Sequence, residues 1–155
     1  MAVPRGTRFQ LDHGTVFPQG AAVVGPVTPD MEYVSMEDKA RGRQPQQRKD
    51  DVTGLPQWKV TVTDPSADKD RDRSVTVVVL DKVQPVPPPA AVSGFDLRPV
   101  FFEGLTVEPR VMGEKFKYQG WVLRATAMRP PSGAVKPAGT AKSAAGQPGE
   151  QKPAA

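Results

Sequence analysis

The apolar positions along this chain recur every second residue. Trp58, Val60 and Val62 alternate with Lys59, Thr61 and Thr63, a period that places the two sets on opposite faces of a strand. Five segments of this kind predict five strands: Ala21–Val27, Gln57–Thr63, Ser74–Leu80, Leu105–Met112 and Tyr118–Met128. Pro26 and Pro109 mark their strands as edges or bulged, since proline gives no N–H to a ladder. Gly120 is a candidate bulge within the fifth strand. By the same alternation Trp58 joins Val60 and Val62 on an inward face, and Trp121 joins Leu123, Ala125 and Ala127. That leaves Lys59, Thr61 and Thr63 outward on the second strand, and Arg124 and Thr126 outward on the fifth. Tyr118 faces away from Trp121 unless a bulge at Gly120 shifts it.

The connections complete the pattern. Asp64–Arg73, "DPSADKDRDR", is dense in turn formers and charge and reads as an exposed hairpin tip. "MGEKFKY" joins the fourth and fifth strands. "QPVPPPAAVSGFDLRPVFFEG" joins the third and fourth, and its prolines favour extended or turn backbone over helix. Phe95, Leu97, Val100, Phe101 and Phe102 are expected to cap one barrel end in place of a helix. The best helical candidate is "MEYVSMEDKARGR", Met31–Arg43, which reads equally as a strand running into a basic loop.

Five strands, two tight hairpins and a long third connection predict an all-β fold. The expected form is one five-stranded barrel of the oligonucleotide/oligosaccharide-binding (OB) type over residues 1–130. A small β-sandwich or another open barrel is the rival. Residues 131–155 form a Pro/Ala/Gly/Lys-rich tail whose only large aliphatic is Val135. Such a segment buries too little apolar surface to offset its ordering entropy and is expected to be disordered.

Composition narrows the chemistry. The chain has no cysteine, which excludes disulfides, thiolate metal sites and a cysteine nucleophile. No apolar leader or membrane-length run is present, so a cytoplasmic protein without a membrane partner is expected. His13 is the only histidine and reads as a turn residue, so a two-histidine metal site is impossible. Asp64, Asp68, Asp70 and Asp72 lack the glycine and glutamate of a calcium loop, and Lys69, Arg71 and Arg73 interrupt them. No phosphate-cradling glycine motif or nucleophile elbow occurs. The expectation is a protein that is not an enzyme and holds no cofactor.

The formal charge is +4 and the pI about 9.5. Five bases and two acids lie within residues 41–60, whereas residues 1–40 hold three bases and five acids. Binders of single strands need cations for phosphates and flat rings for bases. Arg41, Arg43, Arg48 and Lys49 precede the second strand, Lys59 lies in it, Lys117 lies in the loop before the fifth, and Tyr118 and Arg124 lie along the fifth. These eight residues are the candidate nucleic-acid-binding set, with single-stranded DNA as the partner.

Several phrases carry a family resemblance: "VFPQG", "DVTGLPQWKVTVTD", "VQPVPP", "RPVFFEGLTVEPRV" and "YQGWVLRATAMRPP", in this order. Together they resemble small actinobacterial plasmid replication, integration and excision activators, over roughly residues 14 to 131. The shared pattern runs from Asp50 to Trp58, Gln84 to Pro87, Phe102 to Pro109 and Arg124 to Met128. The resemblance implies an accessory or regulatory role for a mobile genetic element, with its replication or recombination proteins as partners. It carries over no catalytic residue. The alternative is a protein–protein adaptor or transcriptional regulator that does not itself bind nucleic acid. The proline-rich connector, as a polyproline II surface, favours that alternative.

Overall fold

The computed structural model describes residues 2–131, and the expected C-terminal tail lies outside them from residue 132 onward. The described chain is mainly β. A short strand β1 (Phe9–Gln10) and helix α1 (His13–Val16) lead into β2 (Ala21–Val24) and β3 (Thr28–Pro29). Helix α2 (Met36–Ala40) and a long loop precede β4 (Gln57–Thr63). β5 (Ser74–Leu80), β6 (Leu97–Glu103), β7 (Thr106–Met112), β8 (Tyr118–Ala125) and β9 (Ala127–Arg129) complete it.

The strands form one sheet in the order β1-β7-β8-β5-β4-β2-β6-β9, with β3 also on β4. All pairs are antiparallel except β5–β8, where Val77, Val78 and Val79 stand beside Leu123, Arg124 and Ala125. The sheet curls around one core. Val23, Val60, Val77, Val100, Val107 and Leu123, from six different strands, belong to a single buried cluster. Each strand turns one apolar side to this cluster, and curling lets those sides meet; in β2, β5, β7 and β8 part of the outer side is covered as well.

The expected barrel is not closed. Among the described residues no strand pair joins the two ends of the sheet, which stop at β1 and β9, two and three residues long. β1 pairs with β7 only at Thr106 and Val107. Two residues further, Pro109 has no N–H to offer a closing neighbour.

Three other expectations change. Leu97–Glu103 is a strand, not an end cap: Val100 and Phe102 point into the core while Phe95 is exposed. Its pairing partner is β2, from Ala21↔Val100 to Val24↔Leu97. Helix occupies only Met36–Ala40 of the Met31–Arg43 candidate, capped where the Asp38 N–H donates to Ser35 Oγ at 3.1 Å. Met31 instead bridges Gln47 in extended backbone. Gly120 makes no bulge, since β7 and β8 stay in register from Thr106↔Arg124 to Met112↔Tyr118. The Met112 side chain occupies the space that a Cβ on Gly120 would enter.

Candidate nucleic-acid interface

The segment Asp50-Asp51-Val52-Thr53-Gly54 folds as a tight turn around the Asp50 carboxylate. Asp50 Oδ2 accepts the Thr53 N–H at 2.9 Å and the Thr53 hydroxyl at 2.8 Å. The Gly54 N–H donates to the Asp50 carbonyl at 2.7 Å, with Gly54 at φ +71°, where a side chain would be strained. Arg8 then clamps Asp50 with two hydrogen bonds, 2.6 Å to Oδ1 and 3.1 Å to Oδ2. Arg124 Nε lies 3.7 Å from the same Oδ1, while Arg124 Nη1 donates to Glu108 Oε2 at 2.6 Å. Arg110 adds a bond to Glu108 Oε1 at 2.9 Å.

This network corrects one candidate outright. Arg124 does lie on the outer side of β8, but it is only 7% exposed and its charge is balanced by two carboxylates. The loop that carries Asp50 reaches it there, and the outward Val78 and Leu80 of β5 are buried as well. Burial alone would raise the Asp50 pKa, but hydrogen bonds from Arg8 and Thr53 more than reverse it and hold it at about 2. Glu108 is lowered too: burial opposes ionisation, and Arg124 and Arg110 overcome it.

The basic loop stands away from this cluster. Arg41, Arg43, Arg48 and Lys49 are all exposed. The backbone beneath is a two-rung ribbon: the Arg48 N–H donates to Asp30 at 2.8 Å, and the Gln57 N–H donates to Arg48 at 2.9 Å. Arg43 lies 3.5 Å from Glu32 and 3.7 Å from Asp38, exposed pairs of little energetic weight. Lys59 is exposed on the outer face of β4 beside Val78, which stands beside Arg124.

Lys117 and Tyr118 sit at the opposite end of the sheet. Tyr118 precedes Arg124 by six positions on β8, about 20 Å along a strand. The eight candidates therefore do not converge. Arg41, Arg43, Arg48, Lys49 and Lys59 lie toward one end, Lys117 and Tyr118 lie at the other, and Arg124 is buried.

The end with Tyr118 has the stronger constellation. Phe116, Tyr118 and Trp121 are 88%, 61% and 57% exposed, and Lys115 and Lys117 alternate with the first two. By register Tyr118 starts on the opposite side of β8 from Trp121, as expected without a bulge, yet both residues line the same open cleft. Trp121 is the correction. It shares the side of Leu123 and Ala125, which are buried, but the core ends before reaching it. The sheet is open here, so the indole lines an open cleft of about 1190 Å³ with Val75, Val107, Leu123 and Phe17 beneath. Gln119 was the available signal: it places a polar side chain at the next position on the supposed core face. Trp58, by contrast, is half-buried against the core, its Nε1–H donating to the Asp81 carbonyl at 3.0 Å.

His13 is buried and opens a short helix, α1, where a turn residue is expected. Its Nδ1 accepts the Phe102 N–H at 3.1 Å, which places the neutral ring's proton on Nε2. The rings of Phe101 and Phe17 lie 4.6 and 5.2 Å away. Burial, and then the nearby Arg129 charge, lower its pKa. Its role is in packing. Among the described residues no group of three or more His, Asp or Glu side chains could hold a metal ion, and no helix is long and apolar enough to cross a membrane. No family model matches the chain, and neither a curated protein nor a solved structure does so.

Proposed function

We propose that this protein is a non-enzymatic accessory protein that binds single-stranded DNA in the cytoplasm. We read its service as replication, integration or excision of a mobile genetic element, alongside that element's replication or recombination proteins. The observation that carries the binding half is the exposed Phe116, Tyr118 and Trp121 beside Lys115 and Lys117. Rings supply stacking faces that every base can use, and ammonium groups supply counter-charge to phosphate. The strand order supports the same reading. β2, β4, β5, β8 and β7 lie side by side with a parallel β5–β8 pair, and we take them as the five strands of an opened OB-type barrel. The mobile-element half rests on the sequence resemblance from "VFPQG" to "RATAMRPP".

A titration of the full chain with a short single-stranded oligonucleotide tests the reading, followed by tryptophan fluorescence at low and moderate salt. Trp121 is solvent-facing, so quenching at low salt that weakens as salt rises is the expected result. An unchanged spectrum at low salt would refute it.

The protein–protein adaptor reading has one observation of its own. The hairpin tip Asp64–Arg73 beside the aromatic end carries four aspartates against Lys69, Arg71 and Arg73. A nearly balanced rim around exposed rings also suits a protein partner. Binding insensitive to salt, and absent with oligonucleotide, would favour it.

A further inference from the structure

We infer that the cleft beside Trp121 admits unstacked bases of the bound strand while the sugar-phosphate backbone stays outside it. The inference rests on the single-strand reading above and adds where the bases go. Two observations fix the polarity. The floor is apolar, with Val75, Val107 and Leu123, and the Trp121 ring forms part of its lining. The mouth carries the carboxylates of Asp64 and Asp72, with Arg71 Nε 3.6 Å from Asp72. Two carboxylates against one guanidinium leave this rim net negative, and one Asp64 oxygen is held by Ser66, so a phosphate gains no attraction there. A neutral, flat ring needs none and gains an apolar floor and an aromatic neighbour. Lys115 and Lys117 lie outside the cleft lining, on the connection that carries Phe116, where the displaced phosphates would run. The cleft, about 1190 Å³ and open to solvent, is larger than the ~300–1,000 Å³ usual for small-ligand pockets.

The test uses the full chain and a set of 12-nucleotide single strands, each with one 2-aminopurine at a different position. Anisotropy of an end label reports binding, and 2-aminopurine emission reports the environment of each base. One or two adjacent positions should be strongly quenched on binding, and an abasic site there should weaken binding about tenfold. Val75→Phe, which fills the floor, should abolish that quenching. Trp121→Ala, an exposed substitution that spares the core, should do so as well. Two results would overturn the inference with the single-strand reading intact: normal anisotropy with no distinguished position, or quenching that survives both substitutions. No anisotropy change at low salt would overturn the inference and the single-strand reading together.

Discussion

At the scale of single residues, two buried carboxylates, Asp50 and Glu108, hold the arginines that cover the outer side of the sheet, and Asp50 is the more buried. Asp50 has no exposed side-chain surface and faces two arginines, Arg8 and Arg124. Replacing it with alanine strands both guanidiniums without their shared partner. Breaking a buried ionic cluster from one side typically costs about 3–5 kcal/mol, so Asp50→Ala should lower the unfolding free energy from a urea titration by about that much. A loss below about 1 kcal/mol would place Asp50 among ordinary surface pairs. The pH dependence follows from the direction of each shift. Asp50 is held at about 2 instead of 3.8, so its contribution is present above the ordinary value and fades as pH falls toward 2. His13 also has a lowered pKa. The unfolded chain therefore takes up the proton more readily, and stability drops as pH falls through the ordinary histidine range. As His13 is the only histidine, urea unfolding at pH 7.5 and 5.5 brackets its titration, away from the carboxylates. Lower stability at 5.5 is expected, and equal or higher stability would contradict the buried Nδ1 acceptor.

At the scale of elements, the alternating strands were legible and their surroundings were not. Gln57–Thr63 and Ser74–Leu80 stand where the period-two pattern puts them, because each must bury one face. β6 was hidden by Pro99 and by the adjacent Phe101–Phe102, which blur the alternation. Arg124 faces outward, as its alternation predicts; what covers it there is the Asp50 turn, far along the sequence, and no local pattern carries that. Trp121 failed for the opposite reason, since alternation fixes a side of the sheet but not where the core stops. The connection from β7 to β8 makes a separate prediction. Gly113 has φ +91°, and a Cβ there would meet the Phe116 carbonyl. Gly113→Ala should strain this loop by about 1–3 kcal/mol and reposition Phe116, weakening oligonucleotide binding with the sheet intact by circular dichroism. Unaltered affinity would remove the loop from the interface.

For the whole molecule, a charge of +4 is modest, so cations must act locally if phosphate is bound. The two basic regions lie at opposite ends of the sheet, and their contributions separate by salt dependence. Each lost phosphate contact should lower the slope of log affinity against log salt by about 0.7 for a single strand. Replacing Lys115 and Lys117 with alanine should therefore flatten it by about 1.4. If the aromatic end alone holds the strand, replacing Arg48 and Lys49 leaves the slope unchanged; if the strand spans both ends, both pairs flatten it. The most direct measurement is the change in backbone amide NMR shifts when unlabelled single-stranded DNA is added to the full chain. The largest changes are expected at residues 113–121 and across the cleft at residues 71–76. The turn at Asp50–Gly54, held by the buried Asp50 carboxylate, should change little. Shifts confined to other surfaces, or none at low salt, would contradict the single-strand reading.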